Sequence, residues 1–293
     1  MHAYNEVAPF YFKHVQIDYD KISFDDGTLD IEKKGDQIFI SCDGEVKKSV
    51  EYSEAEFQKL IDFYLAREKT SVEIFLVCNT TLLKLLPPLE ITFCLYILHN
   101  PDSEGWEFFK RCTGTLKFLN LYFEVDPDIM KIPIIAGSRG IVFHGQQTNE
   151  TLFESKHMYI LHSKYVPSME QLKDFIKFWQ LSKREEGAFC FDCSADTFEK
   201  YKKEFESWPG SYTRPRLGLP IRKELSIELH SAKRIVISPE VLEKNGMVRV
   251  VMAIVPKHPI DSFIDLIERI KASWARSTDP AAAKKGAESN GQK

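Results

Sequence analysis

From residue 11 to residue 51, short apolar runs alternate with turn chemistry. Ile22-Ser23-Phe24, Leu29-Asp30-Ile31 and Ile38-Phe39-Ile40 are separated by Asp25-Asp26-Gly27 and Lys34-Gly35-Asp36, and Cys42-Asp43-Gly44 follows the last run. Asp-Gly between alternating runs is a hairpin signal, because both residues tolerate the positive φ that a tight turn between twisted strands requires. The pattern predicts an antiparallel meander of about four strands.

The apolar period then changes from that of a strand to that of a helix. Ser53-Glu54-Ala55-Glu56 has capping-box form, in which the serine hydroxyl accepts from the backbone N–H three residues on and the glutamate reaches back to the cap. Phe57, Leu60, Ile61, Tyr64 and Leu65 follow on one helical face, and Val72 to Val77 reads as a strand. Leu86-Pro87-Pro88-Leu89-Glu90-Ile91 and Leu116-Lys117-Phe118-Leu119-Asn120-Leu121 both fit L-x-x-L-x-[LI], the strand core of a leucine-rich repeat. Further strands are expected from Gly140, Met158 and Ala188. Between them lie three amphipathic helices. One opens at Asp102-Ser103 with Trp106 and Phe109. A second, capped by Ser168, carries Leu172, Phe175, Ile176 and Trp179. The third opens at Asp196 with Phe198, Tyr201, Phe205 and Trp208.

Pro209-Gly210 ends the last of these and begins a loop to about Pro220. Strands are expected at Leu225 to Leu229, at Arg234 to Ser238, and at Met247 to Val255 after the Asn245-Gly246 turn signal. A final helix after Pro259 carries Ile260, Phe263, Ile264, Ile267, Ile270 and Trp274 on one face. The fold class expected is α/β, with an N-terminal antiparallel β-meander (1–52) packed on the rest. An irregular leucine-rich-repeat-like stack of strand–helix units, with C-terminal strands and helix, fills 53–276. The small, polar stretch 277–293 reads as a disordered tail.

The chain has 293 residues, enough for one large domain or two small ones. Its net charge of −4 sets up no global basic field, so neither nucleic acid nor an anionic membrane is expected as a partner. No segment approaches the ~18 uninterrupted apolar residues of a membrane span. Leu89 to Leu98 comes nearest and holds Glu90 and Thr92. The N-terminus lacks a basic region followed by an apolar core, so no secretory signal is expected. Cysteines at 42, 78, 94, 112, 190 and 193 are irregularly spaced and read as reduced thiols of a cytoplasmic or nuclear protein. The sequons at Asn79 and Asn149 are then expected to stay unglycosylated.

Candidate chemistry is sparse. Cys190-x-x-Cys193 lies within an alternating apolar strand, where Cys190 points inward, and has no second ligand pair for zinc. His157 and His162 flank one strand on opposite faces, being an odd number of residues apart, and read as surface or rim residues. Gly137-Ser138-Arg139-Gly140 matches the G-x-x-G of an RNA-binding loop, but a strand follows it, so a tight turn is expected. Asp25-Asp26 and Glu185-Glu186 read as solvated turn acids. Arg214, Arg216, Arg222 and Lys223 cluster about the Pro215–Pro220 loop and read as a solvated loop. Trp179 and Trp208 read as core. No catalytic, cofactor-binding or metal-ligating residue is assigned, no partner-binding residue is identified, and no cofactor is expected.

Ser155-Lys156-His157-Met158-Tyr159-Ile160-Leu161-His162-Ser163-Lys164, followed by Met169 to Trp179, resembles the hallmark of nematode F-box-associated (FTH, or F-box-associated type 2) domains. In those proteins a strand of form "i-x-l-x-x-S-x-l" precedes a helix of form "d-L-n-x-F-l-K-x-W", which Leu172, Phe175, Lys177 and Trp179 match. The resemblance spans about residues 10 to 255. It implies an adaptor that recruits the Skp1–cullin ubiquitin ligase through an F-box and binds a target protein. No F-box is recognised in the sequence, since residues 1–51 read as strands. The function expected is therefore a non-enzymatic protein-interaction module with an unidentified protein target, linked to Skp1–cullin only where an F-box is supplied. The alternative is an α/β enzyme whose site is not visible in the sequence.

Overall fold

The computed structural model describes residues 11–66, 70–163, 165–182, 184–215, 223–230, 233–241 and 247–256. The chain divides into two units, Met1–His157 and Met158–Lys293.

In the first unit the sheet grows in both directions from β1 (Tyr11–Ile17). On one side β1 pairs antiparallel with β2 (Lys21–Phe24), and the meander continues through β3 (Leu29–Lys34), β4 (Gln37–Cys42) and β5 (Glu45–Glu51). On the other side β1 pairs parallel with β6 (Ser71–Val77). Next come β7 (Glu90–Ile97), β8 (Phe118–Leu121) and β9 (Gly140–Phe143), all parallel. The order is β9-β8-β7-β6-β1-β2-β3-β4-β5. The meander is thus part of the same sheet as the parallel strands. Its edge strand β5 is exposed and charged, with Lys47 and Lys48 at its centre, which discourages pairing with another edge.

The expected turn acids have structural work at the meander's first corner. Asp25 and Asp26 adopt φ of 47° and 61°, a region aspartate tolerates better than most residues. The Asp25 carboxylate accepts the backbone N–H of Lys13 and of His14, at 2.8 and 3.0 Å, and Asp26 faces His14 Nδ1 at 3.1 Å.

Parallel strands need crossovers, and these cover one face of the sheet. The first is α1 (Glu54–Leu65). Ser53 caps it by accepting from Glu56 N–H, while the Glu56 side chain pairs with Lys59. Phe57, Ile61 and Leu65 are its buried stripe. After β7 comes α2 (Ser103–Arg111), capped by Asp102, whose Phe108 ring lies 5.9 Å from Phe75 of β6. After β8 comes a 3-10 turn (Pro127–Lys131) and the one-turn α3 (Pro133–Ala136), and after β9 comes α4 (Asn149–Glu154). Leu95, Ile97, Leu119, Leu121, Ile141 and Phe143 are all buried; Leu95 is in register with Phe75, on the side where α2 packs.

In the second unit β10 (Tyr159–His162) pairs parallel with β11 (Gly187–Ser194), and β11 pairs antiparallel with β15 (Met247–Pro256). The sheet continues through β14 (Lys233–Val241) and β13 (Lys223–His230) to β12 (Ser211–Pro215). The helix α5 (Met169–Leu181) has the full reciprocal capping box between Ser168 and Gln171. Its Leu172, Phe175, Ile176 and Trp179 are buried, with Phe175 4.6 Å from Phe189 of β11 and 4.7 Å from Trp179. Truncating a core ring such as Trp179 typically costs about 3–5 kcal/mol. The helix α6 (Ala195–Glu206), capped by Ser194, buries Phe198 and Phe205.

The expectation of a leucine-rich-repeat-like stack is corrected. Such a stack needs copies of one unit, and here no two crossovers share a form. What organises each unit is a mixed sheet, with parallel and antiparallel strands on one ladder. The Leu86–Ile91 match is not a strand core either: β7 begins at Glu90, since Pro87 and Pro88 have no N–H to give a ladder. The final helix expected after Pro259, the Asn245-Gly246 turn and the 277–293 tail lie outside the described residues.

The start of β7 is stitched to the loop before β8. Ile91 N–H donates to Thr113 O at 2.8 Å, and Thr113 N–H to Leu89 O at 2.9 Å. Gly114 passes over Ile91 with φ +121°, and a Cβ there would fall 2.0 Å from the Ile91 carbonyl oxygen. Gly114→Ala is expected to destabilise the protein by roughly 3 kcal/mol, through strain and clash together, measured by chemical denaturation. A change below about 0.5 kcal/mol, the size of a neutral surface substitution, would show that this crossing is not tight.

Candidate functional site

Alternation along β7, β8 and β9 assigns every second side chain to the face opposite Leu95, Leu119 and Ile141. Tyr96, Asn120 and Val142 are in register there, preceded by Cys94, Phe118 and Gly140. The ladder runs past the strand ends, where Tyr122 N–H donates to Ile97 O at 3.2 Å and His144 N–H to Leu121 O at 2.8 Å. Tyr122 and His144 therefore stand one step beyond Asn120, at the carboxyl ends of adjacent parallel strands.

These side chains meet. The Tyr122 and His144 rings stack at 3.8 Å with an interplanar angle of 11°. Asn120 is buried between the levels. Its amide nitrogen donates to Cys94 Sγ at 3.5 Å, and its oxygen lies 3.5 Å from His144 Nε2. That arrangement suits an Nε2–H tautomer of His144, with Asn120 holding the ring's orientation. Tyr96, Tyr122 and His144 are each half-buried. Burial pushes the Cys94 thiol up to about 12, against hydrogen bonds from Tyr96 and Asn120 that work the other way. Burial also raises the Tyr96 and Tyr122 phenols, so all three groups stay protonated and neutral.

The loops beyond β8 and β9 are locked together. Buried Gln147 accepts from Val125 N–H at 3.0 Å and donates to Phe123 O at 2.9 Å and to Gly145 O at 3.2 Å. Thr151 donates to Val125 O at 2.7 Å. Gly145 permits the close approach, since a Cβ there would lie 2.9 Å from the Phe123 carbonyl carbon. The cluster thus stands on rigid strand ends with supporting hydrogen bonds, the condition for a preorganised site.

Sequence reasoning did not single out this cluster. The available signal was polar Asn120, then Tyr122, in the apolar run Phe118 to Phe123, and His144 closing Ile141-Val142-Phe143. The residues it did weigh fall elsewhere. Cys190 and Cys193 are buried on opposite faces of β11, and burial raises both thiols, Cys193 to about 11. His157 and His162 are corrected from rim residues to buried ones. His157 Nδ1 lies 2.6 Å from Ser155 Oγ, and its Nε2 lies 2.8 Å from Ile135 O, tying the end of the first unit to α3. His162 packs at the end of β10, 5.4 Å from Tyr165 and 5.8 Å from Phe189. Gly137–Gly140 is the turn from α3 into β9. Trp179 is core, while Trp208 is half-buried. Arg216 and Arg222 lie outside the described residues. Six thiols are free, and no group of His, Cys, Asp and Glu among the described residues is arranged to hold a metal. No helix of the described residues is long and apolar enough to cross a membrane.

No family model matches the chain. No curated protein matches it. Among solved structures it is similar to precorrin-6y C5,15-methyltransferase from Geobacter metallireducens GS-15. The identity is 15%, over 59% of this chain and 85% of that one, with a TM-score of 0.22. So slight a likeness transfers neither fold nor chemistry. The non-enzymatic reading is nevertheless withdrawn, together with the ubiquitin-ligase adaptor role and the F-box-associated label. The repeat stack that motivated an interaction surface is not there.

Burial holds the His162 imidazole down to about 4, against 6.5 for the free group. The unfolded imidazole takes its proton near 6.5 and the folded one only near 4. Its contribution is therefore fully present above pH 6.5 and is lost as pH falls toward 4, by roughly 3 kcal/mol in all. His162→Leu should flatten this acid slope in denaturation curves taken between those two values. An unchanged slope would assign the acid loss to other groups.

Proposed function

We propose that this chain is an α/β enzyme acting on a small molecule bound over the carboxyl ends of β7, β8 and β9. His144 is its acid–base group. Tyr96 and Tyr122 are hydrogen-bonding walls, and Asn120 is the positioning residue for the imidazole. The observation carrying the reading is the convergence on one sheet face of Asn120, near the end of β8, with Tyr122 and His144, just past the ends of adjacent parallel strands. Ligands of open α/β sheets bind at that end. Imidazole is the side chain whose charge changes in the neutral range, which suits proton transfer at cellular pH. Burial leaves the Cys94 thiol protonated, so it serves as a neighbour of Asn120 and not as a nucleophile. The six free thiols support a cytoplasmic or nuclear setting.

The test is a metabolite screen by ligand-observed NMR on the full chain, with hits mapped on the Tyr122 and His144 ring signals. The expected result is a ligand that moves those signals and binds about tenfold more weakly to His144→Gln, a loss of about 1.4 kcal/mol. Its turnover should show a pH limb that the variant lacks. Hits that leave both rings unmoved, or that bind wild type and His144→Gln equally, would sink the reading.

A further inference from the structure

We infer that the site takes an elongated ligand with a ring at one end and an ammonium group at the other, the ring on the Tyr122–His144 stack and the ammonium at Asp18. The inference rests on the proposed site and adds the chemical class of its ligand. The hydrogen-bond ladder runs one residue past the strand ends at β6 and β7 as well as at β8 and β9. Cys78 N–H donates to Ile17 O at 2.8 Å and Leu98 N–H to Val77 O at 3.0 Å. Alternation puts Cys78, Leu98, Tyr122 and His144 in one row on the face of Tyr96 and Asn120, and Asp18, next after Ile17 of β1, closes the row. All five are half-buried. The row is graded from a carboxylate through a thiol and a leucine to two stacked rings. Neighbouring strands lie about 4.8 Å apart, so the three steps from Asp18 to Tyr122 span roughly 14 Å, the reach of a ring carrying about six methylenes and an amine. The charge at the far end is available. Asp18 Oδ1 accepts the Tyr19 N–H at 2.8 Å, and Asp18 makes no ion pair with any described residue, since the nearby Lys21 ammonium goes to Asp30 at 2.9 Å. Burial first, and then the Asp18 carboxylate, raise the Cys78 thiol against a hydrogen bond from Gln16, so the charge is felt within the row. A ring extends the stack at one end, methylenes over Leu98 leave water, and the ammonium meets Asp18. A carboxylate in the ammonium's place would meet a like charge.

The test titrates 6-phenylhexylamine, 6-phenylhexanol and 6-phenylhexanoate at pH 7 into the full-length chain. NMR follows the Tyr122 and His144 ring signals together with the Tyr19 backbone N–H that Asp18 accepts. The amine should move both sets and bind about fivefold tighter than the alcohol, the size of a partly exposed ion pair, with the carboxylate weakest. Asp18→Asn keeps the outline and the acceptor for Tyr19 and removes the charge. It should bring the amine down to the alcohol's affinity and leave the alcohol unchanged. If amine and alcohol bind alike through the ring signals, or if Asp18→Asn leaves the amine's affinity unchanged, the ligand class is overturned and the site stands. If none of the three moves the ring signals, the class is overturned, while the site itself stands or falls on the metabolite screen with His144→Gln.

Discussion

The parallel ladder from β1 through β6, β7 and β8 to β9 is the constraint on which the first unit depends. Parallel neighbours cannot be joined by a tight turn, so each connection has to climb over the sheet and return. Whatever climbs must bury its own apolar side, and α1 and α2 do so with Phe57, Ile61, Leu65, Phe108 and Phe109. One face of the sheet is thereby committed to packing. The strict alternation of side chains then sends Tyr96, Asn120, Tyr122 and His144 to the other face. The candidate site follows from the way the backbone hydrogen bonds are satisfied.

The same constraint explains why the strand ends at the candidate site are rigid. Loops after β8 and β9 run side by side and expose backbone groups that need partners away from water. Gln147 and Thr151 supply them, and Gly145 leaves the room for the contact. Charges would be costly among such neighbours, and where the second unit does place ions in a half-buried position it pairs them. Arg249 makes a two-pronged contact with Asp192 at 2.7 and 2.9 Å across β15 and β11. Burial opposes the guanidinium charge there, and the Asp192 hydrogen bond together with nearby Asp192, Cys190 and Glu240 outweighs it, so the Arg249 pKa ends above its usual value.

Local signals in the sequence had local causes and were legible. Asp-Gly corners, the Ser168 capping box and the spacing of Leu172, Phe175, Ile176 and Trp179 each depend on a few neighbouring residues, and each appears where the spacing places it. Assembly was not legible in the same way. The leucine pattern at 86–91 and 116–121 suggested equal repeats, because an apolar period reports burial and not which strand lies alongside. The histidines at 157 and 162 read as rim residues because a polar side chain carries no mark of a buried partner. One lies against Ser155 and the Ile135 carbonyl, the other against Tyr165 and Phe189.

The sequence by itself determined the meander's corners, the starts of α1, α2 and α5, and the apolar stripes by which those helices pack. Those are set within one or two turns of chain. Only the tertiary structure decided that the meander and the parallel strands share one ladder, with β1 as the strand common to both. It alone decided that Asn120 of β8 stands within hydrogen-bonding reach of both Cys94 of β7 and His144, just after β9. Register between strands distant in sequence depends on every crossover at once, and no short window of residues contains it.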